Sequence, residues 1–195
     1  AARDALRLDE LRLVPTGQSW QKGEAGATAA QRLEMTRLAL ADVDAAERLV
    51  LDPREVVRGG PTYTVDTLAE LRRELGPEPA LVLVLGSDQL RNLHTWHRWR
   101  DLFSHAHVAA TQRETIGLEA LPPEVDSELD RRGRDALPDA PAGAIVLFRM
   151  PAVPVSATAL RAQLARGERP VGLSPPAVLD YIEANRLYRR PLPRI

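Results

Sequence analysis

The chain has 195 residues, 44% hydrophobic and 27% charged, with no cysteine and a net charge of −1. This is the balance of a globule able to bury a core, which excludes a disordered chain, a disulfide scaffold, thiol catalysis and cysteine-ligated metal. A pI near 6.5 advertises no basic field for nucleic acid or an anionic membrane, and no apolar run reaches the ~18 residues of a membrane span, so a cytoplasmic protein is expected.

Residues 1–8 have helical apolar spacing, and LRLVP (11–15) reads as a short strand stopped by Pro15. A Gly-rich loop over 16–28 leads to a helix over 29–41 with Thr28 as its N-cap. Residues 48–57 read as a strand interrupted near Pro53, and 58–64 as a loop. Thr64 is placed to cap a helix running to Leu75 and ended by Gly76-Pro77. ALVLVLG (80–86) is apolar without alternation, the mark of a central parallel strand covered on both faces. A short helix follows, then a second over 95–103, a strand over 107–112 and a charged, Pro-rich stretch over 114–142. A strand at 143–150, a capped helix over 156–167 and a proline-started helix over 175–188 close the chain.

Strands alternating with helices give an α/β fold with a doubly wound parallel sheet. A helix at residue 1 that leads into a parallel strand should itself follow a strand. A first strand upstream of Ala1 is therefore expected, which fits a chain that opens Ala1-Ala2-Arg3 without methionine. Residues 1–195 are expected to be one domain, incomplete at its start, with 151–195 as its C-terminal helical part.

In doubly wound sheets ligands bind beyond the carboxyl ends of the strands. After the first strand comes PTGQSWQK (15–22), whose Lys22 is the only lysine among 26 basic residues. It is either a phosphate contact or a solvated side chain. GGPTYT (59–64) offers backbone amides at a helix start, either an anion site or an ordinary turn. GSDQL (86–90) sets Asp88 at a strand-to-helix corner, to accept from a ribose or base or to cap the helix. Trp96 and Trp99 are stacking groups or core. His94 and His97, spaced i, i+3, have only Asp88 as a third metal partner, so no metal site is expected. VSATALR (155–161) joins a helix start at Ser156 or Thr158 to Arg161, suited to a polyphosphate or simply a capped helix. No P-loop, G-x-G-x-x-G, G-x-S-x-G or H-E-x-x-H motif is present.

In this order, VPTGQSWQK, RLEMTRLAL, GGPTYTVDTL, LGSDQLRNLHTWHRW, VSATALRAQLARG and LSPPAVLDYIEANRLY resemble the bacterial nicotinate-nucleotide adenylyltransferases over essentially the whole chain. The resemblance implies a Rossmann-like nucleotidyltransferase fold. It implies that nicotinate mononucleotide is joined to the AMP part of ATP, with Mg²⁺ accompanying ATP. By position, the amides around Tyr63 and Thr64 would hold the nicotinate carboxylate, Trp96 would stack on the pyridine with His97 beside it, and Asp88 would bind the nucleotide. Thr16, Arg113, Ser156, Thr158 and Arg161 would bind ATP, and Lys22 and Arg161 would act on its phosphates. The family's His-x-Gly-His loop is not among these residues, so the chain by itself is expected to turn over slowly. Gln21 stands where the family often has histidine. The rival readings are an adenylyltransferase for another phosphate ester, a silent nucleotide-binding module, and a hydrolase built on His94, His97 and Asp88.

Overall fold

The computed structural model describes all residues except 19–25, 45–47, 113–120, 152–155 and 189–195. The elements in chain order are α1 (Ala2–Leu6), β1 (Leu11–Leu13), α2 (Ala29–Leu40), β2 (Leu49–Leu51), α3 (Arg54–Arg58), α4 (Thr64–Leu75), β3 (Val82–Gly86), α5 (Ser87–Arg91), α6 (Leu102–His105), β4 (His107–Gln112), α7 (Pro123–Arg132), β5 (Gly133–Arg134), β6 (Ile145–Arg149), α8 (Ala157–Ala165) and α9 (Pro176–Ala184). Two 3₁₀ turns, Leu93–Thr95 and Trp99–Asp101, lie between α5 and α6. The chain forms two compact units, residues 1–9 with 63–152 and residues 10–62 with 153–195. Of the segment expected to be the C-terminal helical part of the same domain, residues 153–195 share a unit with 10–62.

In the first unit four strands pair in the order β3-β4-β6-β5, all parallel. The strand buried on both faces is β4, where His107, Val108, Ala109 and Ala110 have no exposed surface. ALVLVLG forms β3, an edge of this sheet among the described residues. Its alternate side chains do face two apolar clusters. Leu83 and Leu85 pack with Val65, Leu68 and Leu90, while Val82 and Val84 pack with Leu6 and Val146. Leu83 and Val84 are half-buried instead of fully covered, because an edge strand lacks a neighbour on one side. Apolar composition reports covered faces, and it carries no information on strand order.

The amino edge of this sheet is tied by two polar side chains. Arg72, on α4, donates from Nη1 to the carbonyls of Gly76, Pro77 and Pro79 and from Nη2 to those of His105 and Pro141, the shortest at 2.6 Å. His107 Nδ1 accepts from the Ala144 amide at 3.0 Å. The neutral ring therefore carries its proton on Nε2, which donates to Ala140 O at 2.7 Å. Both side chains hold the 138–144 segment against the strand starts.

In the second unit β1 and β2 form a separate parallel pair, with Leu11 opposite Leu49 and Leu13 opposite Leu51. Thr28 caps α2 as expected: its Oγ1 accepts from the Gln31 amide while Gln31 Oε1 accepts from the Thr28 amide. Met35 and Leu38 of α2 pack against Val178 and Ile182 of α9 and the following Leu187.

Three local expectations change. Residues 54–57 are helix, not strand. Asp52 stops the strand by accepting from the Arg54 amide at 3.0 Å and Arg54 Nε at 2.7 Å. Burial pushes the Asp52 carboxyl up, yet the Arg54 hydrogen bonds and the charges of Arg54 and Arg12 bring it below the usual range. The helix expected over 95–103 is broken at Arg98, whose φ of 49° is left-handed. α9 ends at Ala184, and the left-handed Arg186 and Tyr188 follow.

Arg72→Ala should cost roughly 2 kcal/mol or more, since hydrogen bonds from a charged donor are worth ~1.5–3 kcal/mol each. Arg72→Lys should recover less than half, because an ammonium cannot reproduce a planar fork reaching five carbonyls. Urea denaturation of the three proteins measures this, and a stable Arg72→Ala protein would contradict it.

Candidate active site

Gly86 ends β3 in the first unit, and Asp88 follows it in the first turn of α5. The N-cap of α5 is Gly86, and neither Ser87 nor Asp88 caps with its side chain. Asp88 instead folds back over Gly86. A Cβ on residue 86 would lie 2.5 Å from Asp88 Oδ1, so glycine is what allows the carboxylate its place. Asp88 Oδ2 accepts from Gln89 Nε2 at 3.1 Å.

The amino end of α4 meets the segment after the first 3₁₀ turn. Its N-cap is Tyr63, in extended conformation and without a side-chain cap. Thr64, expected as the cap, is the first helical residue. A tyrosine cannot supply the short side-chain oxygen that caps a helix, so the Thr64 and Val65 amides keep their donor capacity, while the Asp66 amide donates to the Tyr63 carbonyl at 3.1 Å. The Tyr63 ring lies 4.3 Å from the His97 ring, tilted by 35°. Arg98 Nη1 approaches Asp66 of α4 at 4.0 Å and its Nη2 pairs with Asp101 at 2.7 Å. Trp96 is half-buried against the core, and its Nε1 has no hydrogen-bond partner among the described residues. Trp99 is core, edge-on to Phe103 at 6.3 Å. His94 Nδ1 is within 3.2 Å of Arg91 O. Among the described residues no three His, Asp or Glu side chains gather as metal ligands would.

In the second unit Ser156 caps α8, its Oγ accepting from the Ala159 amide at 3.0 Å. Thr158 is exposed on the first turn, and Arg161 Nη2 reaches its Oγ1 at 3.5 Å. No carboxylate pairs with Arg161 among the described residues. Tyr188 lies in the field of Arg161 and Arg32. Burial pushes its phenol up, and the two guanidinium charges partly offset that. Thr16 is exposed beyond β1. Lys22, Trp20 and Arg113 lie outside the described residues. An open cleft of about 570 Å³ lined by Arg169, Val171, Leu173 and Leu179 carries none of the expected site residues. Sequence reasoning missed the Tyr63 ring, Arg98 and Arg32. Only Arg32 had a local signal, an arginine one turn into a helix that leaves a Gly-rich loop.

Residues 1–163 match the cytidylyltransferase-like family. A protein named "Probable nicotinate-nucleotide adenylyltransferase" from Laribacter hongkongensis is 47% identical over 99% of this chain and 87% of its own. Its namesake from Dechloromonas aromatica is 48% identical over 94% of this chain and 86% of its own. The chain belongs to the nicotinate-nucleotide adenylyltransferases. Among solved structures, Plasmodium falciparum nicotinic acid mononucleotide adenylyltransferase complexed with NaAD matches with a TM-score of 0.66 at 18% identity, covering 92% of this chain and 82% of that one. The same protein complexed with APC matches at 0.57 and 16%, with the same coverage. Both share the fold. Nucleotidyl transfer of this kind calls for a divalent cation, and no helix is long and apolar enough among the described residues to cross a membrane.

The adenylyltransferase braces the segment around Trp96 with a buried carboxylate. Glu128 of α7 is 3% exposed. It accepts from Arg131, from Arg132 Nε at 2.7 Å and from Arg100 Nε at 3.3 Å. Arg100 lies over Trp99 and Arg132 over Phe103, each 4.5 Å from the ring centre. Hydrogen bonding to Arg131, against the upward push of burial and with help from Arg132, holds the Glu128 carboxyl at about 2. A carboxyl lowered on folding stabilises fully above its unfolded value of 4.5 and loses that stabilisation as pH falls through about 2. The stability gap between wild type and Glu128→Gln should therefore be constant from neutral pH down to about 5.5 and shrink steadily below. Denaturant titrations across that range measure it, and a gap equally wide near pH 3 would contradict the brace.

Proposed function

We propose that this adenylyltransferase is a cytoplasmic enzyme of NAD biosynthesis, which transfers the adenylyl group of ATP to nicotinate mononucleotide and releases pyrophosphate. The observation that carries the reading is the 47% identity over 99% of the chain with a relative of that name. The open Thr64 and Val65 amides of α4, set beside the Tyr63–His97 ring contact, support the choice of an acidic pyridine.

The mononucleotide phosphate attacks the α-phosphorus of ATP. A P–O bond forms there as the bond to the β-phosphate oxygen breaks. A phosphate monoester is already largely anionic near pH 7, so no general base is required. Mg²⁺ enters with ATP as part of that substrate. The protein's work is alignment and the neutralisation of charge on the departing pyrophosphate. Arg161 and Lys22 carry that neutralisation, with Thr16, Arg113, Ser156 and Thr158 holding ATP. The Thr64 amide receives the ring carboxylate, the Trp96 face and His97 take the pyridine, and Asp88 accepts from the nucleotide.

Amides without a formal cation still discriminate. A carboxylate accepts from them, whereas a carboxamide can turn an NH₂ against them and leave donors unpaired. The enzyme should therefore prefer nicotinate over nicotinamide mononucleotide. Thr64→Pro is a clean probe, because proline is tolerated at the first helical position and the extended Tyr63 (φ −118°, ψ 134°) suits a following proline. It should cut kcat/KM for the acid roughly ten- to a hundredfold, the ~1.5–3 kcal/mol of a charged hydrogen bond, and change the amide far less. Trp96→Ala should weaken both. Arg161→Ala should raise KM for ATP and lower kcat. Equal specificity constants for the two mononucleotides in the wild-type enzyme would refute the assignment.

A further inference from the structure

We infer that Arg32 is a positioning residue for adenylyl transfer, acting by tying together the two ends of the loop between β1 and α2. Its Nη2 donates to the carbonyls of Thr16 and Gly17, each at 2.6 Å. Its Nη1 donates to the carbonyl of Ala27 at 2.7 Å. Thr16 and Gly17 leave β1, and Ala27 immediately precedes the Thr28 cap of α2. One planar fork thus bridges both ends of the loop with short, charge-assisted bonds.

Packing fixes the same two ends. Gly17 is buried where any side chain would overlap the Glu55 carbonyl and the Thr62 methyl. The next residue, Gln18, accepts from the Thr62 amide at 3.2 Å. At the other end Gly26 has a φ of +71°, and a Cβ there would lie 2.9 Å from the Tyr188 ring. Only glycine fits that backbone and that contact. The ends of the loop are therefore held by two glycines, an aromatic ring and a guanidinium, of which the guanidinium alone touches both.

Arg32 itself needs explaining. It is half-buried, and no carboxylate pairs with it among the described residues. An arginine that must set a backbone course and remain a cation is served by carbonyls, because their dipoles orient it without cancelling its charge. Lysine, a point charge without a fork, cannot do the same.

The inference rests on the reading that this loop handles ATP, and the test separates the two. Steady-state constants for ATP and for nicotinate mononucleotide are measured in the full-length enzyme, wild type, Arg32→Ala, Arg32→Lys and Lys22→Ala. Arg32→Ala should lose about a hundredfold in kcat/KM for ATP, since a misplacement of about 1 Å costs that much. Its KM for the mononucleotide should stay within about twofold. Arg32→Lys should recover little, while low millimolar guanidinium should restore Arg32→Ala in part. A merely structural role would lower kcat without raising KM for ATP and would show no rescue, and either result overturns the inference. Should Arg32→Ala not fold, the KM split in Arg32→Lys decides. If Lys22→Ala impairs ATP use and the Arg32 variants do not, the positioning role alone fails. If none of the three changes ATP kinetics, the reading of the loop fails with it.

Discussion

Every pairing in the larger sheet runs the same way, and that constraint decides where polar groups can go. Parallel strands gather all their starts on one edge and all their ends on the other. Starts arrive from connections whose carbonyls still need donors. At that edge one arginine serves five carbonyls and a fully buried histidine serves one amide and one carbonyl. The opposite edge is left for Gly86, Asp88 and the turns beyond them.

The carboxylate of Glu128 extends that logic sideways. Three guanidinium groups converge on it, and two of them also cover aromatic rings of the segment that follows Trp96 and His97. The carboxylate is buried while its guanidinium partners reach solvent, so removing the partners singly leaves a buried charge poorly paired, which is costly. Its effect is geometric. It fixes which face of α7 meets Trp99 and Phe103, and so keeps the broken 3₁₀ segment in one register instead of the continuous helix its spacing invites.

What could be read from residues alone follows the range of the interactions concerned. Thr28 with Gln31, Gly76 after α4 and Ser156 before α8 act within four residues, and the helix limits they set were legible. The order of strands was not. The run over 80–86 reports apolar neighbours on both faces and is silent on whether a strand lies beside it. The break at Arg98 was equally hidden, since a left-handed arginine has no propensity signal and is held by Asp66 and Asp101. Residue types at strand ends and helix starts single out Asp88 and Thr64 in one unit and Arg161 in the other as candidates. The stacking of Tyr63 on His97 depends on tertiary contact, and no spacing rule reaches it.

Arginine use in this chain separates into two kinds. Of its 26 basic residues, 25 are arginine, set against 27 acids. Some are neutralised by carboxylates, as Arg54 is by Asp52 and Arg169 by Asp180 and Glu183. Others bond chiefly to backbone carbonyls, as Arg72 and Arg32 do. The first kind adds geometry and little field. The second has no carboxylate among the described residues to offset its field while its position is fixed; for Arg72 that serves the amino edge of the sheet, and for Arg32 it is the form of charge that the positioning role inferred above would use. Preorganised charge acts without reorganisation at the moment of reaction, whereas a mobile lysine must be ordered first. A chain with one lysine and many arginines can still build such a field, provided that carbonyls and not carboxylates accept the guanidinium hydrogen bonds.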